Sequence, residues 1–414
     1  MVQQVSRGGD TNRLSTAFVR EHDQAVQARR LRGSEPFGCA AAAAAPLAFE
    51  PAGESLGLPT RARVEGASAA AQEAAERTAF EAWLASVHGG CRADALSPFE
   101  HNLEVWRQLW RVVERSDVVC IVADVRNPLL HVPAALYEHC AARPSLRLVI
   151  VLSKVDLISR EALERWREAL SRRFPRARLA TFSSKGREVG GSLGGGVASR
   201  RKALGAPLSA AGRRTVREYV EGVAEACGVR DTVTVGFVGH PNVGKTSLLN
   251  ALVGRKVASV SRTPGHTKHL QTWELTPRLT ICDSPGLVFP VAGVRVHGVD
   301  ASARAVYECC GLFPIAQVRE ALSAVRLLWH ALDLPRMYNL RPAELDDDED
   351  ELSPFGFCAA LAERKGYRLA RGRGALDIHR AGLEVLKDCV DGAVCLAFAP
   401  PAPAAAAPDP RPTG

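Results

Sequence analysis

VLSKVDL (Val151–Leu157) closes an apolar run and ends in a charged turn with Lys154 and Asp156 two residues apart. GHPNVGKTS (Gly239–Ser247) begins 83 residues after Asp156. It holds Gly239, then four residues, then Gly244, Lys245 and Thr246. A β-rich run precedes this second stretch and a helical one follows, which is the context a phosphate-binding loop requires. The order of the two segments decides the fold.

In GHPNVGKTS, small glycines let backbone N–H groups turn inward around a β-phosphate, and the helix N-terminus adds the positive end of its dipole. Lys245 is placed to bridge β- and γ-phosphates, and the Thr246 hydroxyl to ligate Mg2+. Asn242, Val243, Gly244 and Ser247 complete the candidate phosphate contacts. Asp283, in LTICDSPGLVF (Leu279–Phe289), ends an apolar run 38 residues after Lys245. A carboxylate there can hold the Mg2+ shell, and Gly286 can present its N–H to a γ-phosphate. Between them, SRTPGHTKHL (Ser261–Leu270) offers Thr263 and Thr267 as a second metal-side hydroxyl. Thr267 is favoured because it directly precedes the next extended run. The catalytic contacts are therefore expected from Lys245, Thr267 and Gly286, and the metal contacts from Thr246, Thr267 and Asp283.

A phosphate loop alone does not choose between ATP and GTP. Asp156 can accept two hydrogen bonds from the N1–H and 2-amino group of guanine, which adenine does not offer, and a buried unpaired carboxylate would penalise ATP. Ser153, Lys154 and Asp156 form this base-reading loop at the end of the apolar run Leu146–Leu152. FSSK (Phe182–Lys185) follows the next run and places Ser183, Ser184 and Lys185 where a backbone N–H can meet the guanine O6. An ATPase survives as a reading only if Asp156 does not reach the base. Numbered by their usual succession, the five motifs occur as 4-5-1-2-3.

That order, with VWRQLWRVVERSDVV (105–119), DVRNPLLHVPAALYEH (124–139), SKVDL, the phosphate loop and its continuation to Thr272, CDSPGLVFP, GLFPIAQV (311–318) and ERKGYRLARGRGALDIHRAG (363–382), resembles the circularly permuted GTPases linked to ribosome assembly. The resemblance covers roughly residues 97–400 and is faint before that, around NRLSTAFVREHD (12–23). It implies a P-loop α/β domain, slow GTP hydrolysis stimulated by a large partner, and in some relatives K+ as an internal cation held by an Asn at the position of Asn242. Two residues depart from the usual pattern. Ser153 stands where Asn is common, which implies weaker guanine affinity. Leu287 stands where many signalling GTPases have a Gln that orients water. His131, His240 and His266 lie near the expected site, and loop packing is the plainer role for each.

The 414 residues allow two or three domains. Residues 1–96 are rich in Ala, Arg, Gly and Glu and are expected to be largely disordered, with helices near 17–31 and 70–86. Ser97, Pro98 and Glu100 read as the capping box of an amphipathic helix. Apolar runs alternating with helical patterns over 97–290 predict a parallel-dominated sheet with helices on both faces. It is interrupted by a flexible insertion at 186–212. Strand patterns stop after Pro290. A helical C-terminal region follows over 291–398, with an acidic linker at 344–351 and a disordered tail at 399–414.

Eleven scattered cysteines without a CxxC pair read as reduced thiols of an intracellular protein. No apolar run approaches a membrane span, so no membrane partner is expected. Between Arg165 and Arg214 there are thirteen Arg or Lys against two Glu. That stretch suggests an RNA partner, such as ribosomal RNA or a pre-ribosomal particle, bound with steep salt dependence; an Arg-rich solvated surface is the plainer alternative. The function expected is GTP hydrolysis coupled to particle binding in cytoplasm or nucleus, the nucleolus included. The alternative is a nucleotide-gated protein scaffold with negligible hydrolysis. Oligomeric state has no signature in the sequence.

Overall fold

Runs of Val, Ile and Leu too uniform to have a solvent face become the centre of a sheet covered on both sides. The computed structural model describes residues 17–36, 47–51, 56–92, 95–184, 196–204, 222, 232–253, 271–297, 299, 301–341, 353–370 and 374–401. Its strands are Phe49–Pro51 (β1), Val118–Asp124 (β2), Arg147–Ser153 (β3), Ala177–Phe182 (β4), Val233–Val238 (β5), Gln271–Thr276 (β6), Leu279–Asp283 (β7) and Val294–Val296 (β8). Six form one sheet in the order β4-β3-β2-β5-β7-β6. All its pairs are parallel except β6–β7. Every residue of β2 is buried, and its side chains alternate between two cores. Val119, Ile121 and Ala123 join the larger core, whereas Val118, Cys120 and Val122 face the smaller one with Leu248 and Leu249.

The helices on either side are Asp23–Gly33 (α1), Ala69–Gly90 (α2), Leu103–Arg115 (α3), Pro128–His131 (α4), Ala134–Ala141 (α5), Arg160–Arg173 (α6), Val197–Leu204 (α7), Lys245–Val253 (α8), Ala303–Cys309 (α9), Leu322–Ala331 (α10), Leu334–Tyr338 (α11), Pro354–Lys365 (α12) and Ile378–Asp391 (α13). The expected α/β architecture with a helical C-terminal region is the one observed.

Several expectations are corrected. The capping box does not form. α3 starts five residues later than its capping motif implied, capped by Asn102, whose side chain accepts from Glu104 N at 3.0 Å. Ser97 and Glu100 are instead drawn into non-local pairing: Ser97 N donates to Val291 O and Glu100 N to Val288 O. Residues before 97 are also far more ordered than their composition implied. α2 packs on α3 through Phe80, Trp83 and Trp106, with the two indoles 5.1 Å apart, and Arg107 pairs with Glu76 at 2.7 Å. Phe18 stacks near Phe313, and Arg29 and Arg304 both meet Glu21. A few large anchors hold a segment whose average hydropathy is low.

Beyond Pro290, β8 pairs antiparallel with β1, a partner some 245 residues away that no local pattern reveals. The helical pattern at 303–332 divides into α9 and α10 around Pro314. The insertion contains α7, docked on α13 by Arg201, which bonds Asp388 and Glu384. Ala399 still donates to Leu47 O, so the chain is held past the expected start of the tail. The acidic linker and residues 402–414 lie outside the described residues.

Glu100 is fully buried and accepts from Ala17 N and Asn102 N through one oxygen. Burial pushes its carboxyl up to about 8 against those bonds. A carboxyl raised above its unfolded value adds stability that is full in acid and is lost as pH rises through about 8. The wild-type melting temperature should therefore fall between pH 5 and 8.5, and Glu100→Gln should flatten that fall; melts across this range check it.

Candidate nucleotide site

The carboxyl ends of β5, β3 and β4 open into one cleft of about 310 Å3, lined by Ser153, Lys154, Asp156, Ser184, Asn242, Gly244, Lys245, Thr246 and Ser247. Parallel pairing brings these ends to the same edge, where ligands of open α/β sheets bind. β5 delivers the phosphate-type loop. Its backbone needs left-handed or glycine-only conformations at Gly239 (φ 145°), Asn242 (φ 58°) and Gly244 (φ 99°). A Cβ on Gly239 would lie 2.5 Å from Val122 O, so the loop passes close against β2. Val243 is buried beneath the loop.

Lys245 opens α8 and donates to its own loop, to Gly239 O at 2.8 Å and His240 O at 2.6 Å. Burial lowers its ammonium to about 8, partly countered by Asp283. Asp283 ends β7, beside β5, with no exposure and no hydrogen-bond partner for either carboxylate oxygen among the described residues. Burial raises that carboxyl to about 7 against the pull of Lys245. Gly286 packs on the loop: a Cβ there would meet Pro241 Cα at 2.8 Å, and Leu287 N donates to Gly239 O. The Leu287 side chain turns into the core.

On the other side of the cleft, Ser153 ties the second loop to the first. Its Oγ lies within bonding distance of Ala123 O, at 3.1 Å, and Val243 O, at 2.5 Å. One hydroxyl proton thus serves two carbonyls. Lys154 adopts the left-handed conformation (φ 57°), and its ammonium pairs with Asp124 at 2.8 Å. Asp156 is buried, and Ser183 Oγ donates to it at 2.7 Å, so the second loop after β4 orients the carboxylate of the first.

The sequence likenesses agree with this arrangement. Residues 234–349 match the family described as 50S ribosome-binding GTPase. The chain is 34% identical over 384 residues to guanine nucleotide-binding protein-like 1 of Homo sapiens, covering 79% of this chain and 62% of that protein. It is 33% identical over 335 residues to large subunit GTPase 1 of Schizosaccharomyces pombe, covering 74% of this chain and 52% of that one. The chain belongs to the circularly permuted GTPases. Within this family it spans somewhat over half the length of the curated relatives it matches. A solved structure, GNP-bound YlqF from T. maritima, aligns at a TM-score of 0.42 with 17% identity, over 71% of this chain and 96% of that one.

A permuted GTPase keeps its motifs adjacent in space whatever their order in the chain, and Ser153, Lys154, Asp156, Ser184, Asn242 and Gly244–Ser247 share the cleft here. Asp283 and Gly286 flank it. Lys185, Thr267, Thr263 and His266 lie outside the described residues. The amide of Asn242 donates to Gly311 O at 2.8 Å, which joins the phosphate loop to the C-terminal helices. His131 and His240 are buried edge to face against each other, and burial holds His131 down to about 4 and His240 well below its usual range, so both are neutral packing groups.

Sequence reasoning missed Leu157, Phe182, Leu204, Val390 and Asp391, which also line the cleft. Apolar side chains in loops and a helix end far along the chain carry no motif. Asp124 was noticed at the end of β2 but left without a role.

Serine and alanine differ by one hydroxyl, so Ser153→Ala isolates the link between the two loops. It should cost about 1–3 kcal/mol, read as a lower urea midpoint with an unchanged slope.

Proposed function

We propose that the chain binds GTP and GDP and hydrolyses GTP, coupling nucleotide state to assembly of a ribosomal or other RNA–protein particle. The observation that carries this reading is Asp156, buried, oriented by Ser183 and opening on the same cleft as Lys245. A carboxylate so placed accepts the N1–H and 2-amino group of guanine, with Ser183, Ser184 and Lys185 serving the rest of the base edge. Backbone N–H groups from Asn242 to Ser247 take the phosphates, where Lys245 trades its bonds to Gly239 O and His240 O for phosphate oxygens.

Mg2+ fits the donors present. A buried carboxylate with two unpartnered oxygens beside a phosphate loop is a cost unless something cationic or hydrated meets it, and Asp283 is such a group. Thr246 and Asp283, with Thr267, would hold the ion, which offsets phosphate charge when bound. Asn242 gives its amide hydrogens to Gly311 O, which supports a loop-tethering role and leaves its carbonyl oxygen as the candidate K+ ligand. Gly286, packed on Pro241, is placed to sense the γ-phosphate.

Leu287 brings no polar group to the site, so intrinsic hydrolysis is slow and depends on a partner. Arg165, Arg167, Arg172, Arg173, Arg176 and Arg178 are exposed along α6 and the adjoining edge strand, and they supply the RNA-facing charge. Arg201, from the same basic stretch, is committed to Asp388 and Glu384 and is not part of that surface. No helix among the described residues is long and apolar enough to cross a membrane. We place the protein in the cytoplasm or nucleus, with 97–290 as the GTPase unit and 291–398 as the unit that moves with it.

Single-turnover hydrolysis of GTP with and without purified large ribosomal subunits tests the reading. Stimulation of at least about tenfold, roughly 1.4 kcal/mol of barrier, and no competition by ATP is expected. Guanine binding without stimulation would favour the scaffold alternative, and equal binding of ATP would refute the guanine site.

A further inference from the structure

Arg126 takes no part in the contacts assigned above, yet it is almost fully buried and its guanidinium joins distant parts of the chain. Its Nε and Nη2 donate to Asp124 at 3.1 and 2.7 Å. Asp124 Oδ2 is the same oxygen that receives the Lys154 ammonium. On its other side, Arg126 Nη1 donates to Cys389 O at 2.6 Å and Nη2 to Val390 O at 3.3 Å. Those carbonyls belong to the last turn of α13, where an α-helix leaves them without partners of its own.

The end of α13 also touches the base-reading loop directly. Val390 and Asp391 line the nucleotide cleft beside Leu157. Gly392 ends the helix at φ 89°, and a Cβ there would lie 2.8 Å from Leu157 Cδ1. The Cys395 thiol lies 3.3 Å from Leu157 O. Charge explains why these parts belong together. Two cations, Lys154 and Arg126, share one carboxylate, and the negative end of the α13 dipole offsets the remaining positive charge. Withdrawing α13 would leave buried guanidinium donors unpaired, at a cost of about 1–3 kcal/mol.

We propose that Arg126 is a positioning residue for guanine recognition. Through Asp124 it fixes the ammonium of Lys154, and through the Cys389 and Val390 carbonyls it seats the end of α13 as one wall of the base site. This rests on the guanine reading given above and deepens it. Because the contact lies at the base, it acts on GDP and GTP alike, whereas a γ-phosphate sensor separates them. By reciprocity, a bound guanine nucleotide then secures the end of α13 as much as α13 secures the nucleotide.

The test is hydrogen exchange over residues 385–398 of the full chain with and without GDP, together with GDP and GTP affinities, for wild type, Arg126→Lys and Arg126→Ala. Lysine keeps a charge beside Asp124 but lacks the fork that reaches both helix carbonyls. GDP should slow exchange at 385–398 in the wild type. Arg126→Lys should lose that protection and bind GDP and GTP about tenfold more weakly, with their ratio unchanged. A merely structural arginine would shift the melting temperature and leave affinity within about twofold in Arg126→Lys, which overturns the inference. Should Arg126→Ala fail to fold, the lysine variant and the wild-type exchange decide. Wild-type binding of GDP without protection at 385–398 overturns the inference alone, and a wild type that binds no guanine nucleotide overturns the site reading with it.

Discussion

Parallel pairing of β2 with both β3 and β5 is the constraint from which the site follows. It puts the carboxyl ends of all three strands at one edge, so the loops that leave them must meet. Register then fixes which residues meet: Asp124 stands opposite Ser153 at the ends of β2 and β3, and Ser153 reaches Val243 in the loop after β5. None of this depends on which strand comes first in the chain. Chain order can therefore be permuted while the site survives, provided the new ends lie at the surface.

Permutation does change what is tied to the site. The chain leaves the sheet after β7, through Gly286 and the buried Leu287, Val288 and Phe289, and runs into the C-terminal helices. Those helices return to the nucleotide cleft at two further places, Gly311 against Asn242 and the end of α13 against Leu157. One contact lies at the phosphate loop and the other at the base loop. The helical region thus borders the cleft along its length, and a change in occupancy anywhere in the cleft bears on its packing.

Much of this was legible in the sequence, for local reasons. The strands β2, β3 and β5 are continuous apolar runs, and the phosphate loop needs glycines at fixed intervals, so both announce themselves within a few residues. The base-reading loop was legible only in combination, as Lys154 and Asp156 at a strand end with FSSK after the next strand. What was missed is non-local. Glu100 looked like a capping residue because three residues suffice to draw that motif, but its backbone pairs with Val288 across most of the chain. The first 96 residues looked disordered because Phe18, Phe80 and Trp83 are too few to move an average, although each finds an aromatic partner. Arg126 passed unread because its acceptors are helix carbonyls, which any sequence can supply. Lys185 and Thr267 lie outside the described residues, so their assignments rest on sequence alone.

The central claim is that a loop preceding the phosphate loop in the chain reads the base of the nucleotide held by that phosphate loop. The most direct measurement is the affinity of wild type and Asp156→Asn for GDP and for xanthosine diphosphate, which carries a carbonyl in place of the guanine 2-amino group. The account predicts that the wild type prefers GDP and that the variant reverses the preference, since an amide can donate to that carbonyl where a carboxylate only accepts. Unchanged preference in a folded Asp156→Asn protein would contradict it.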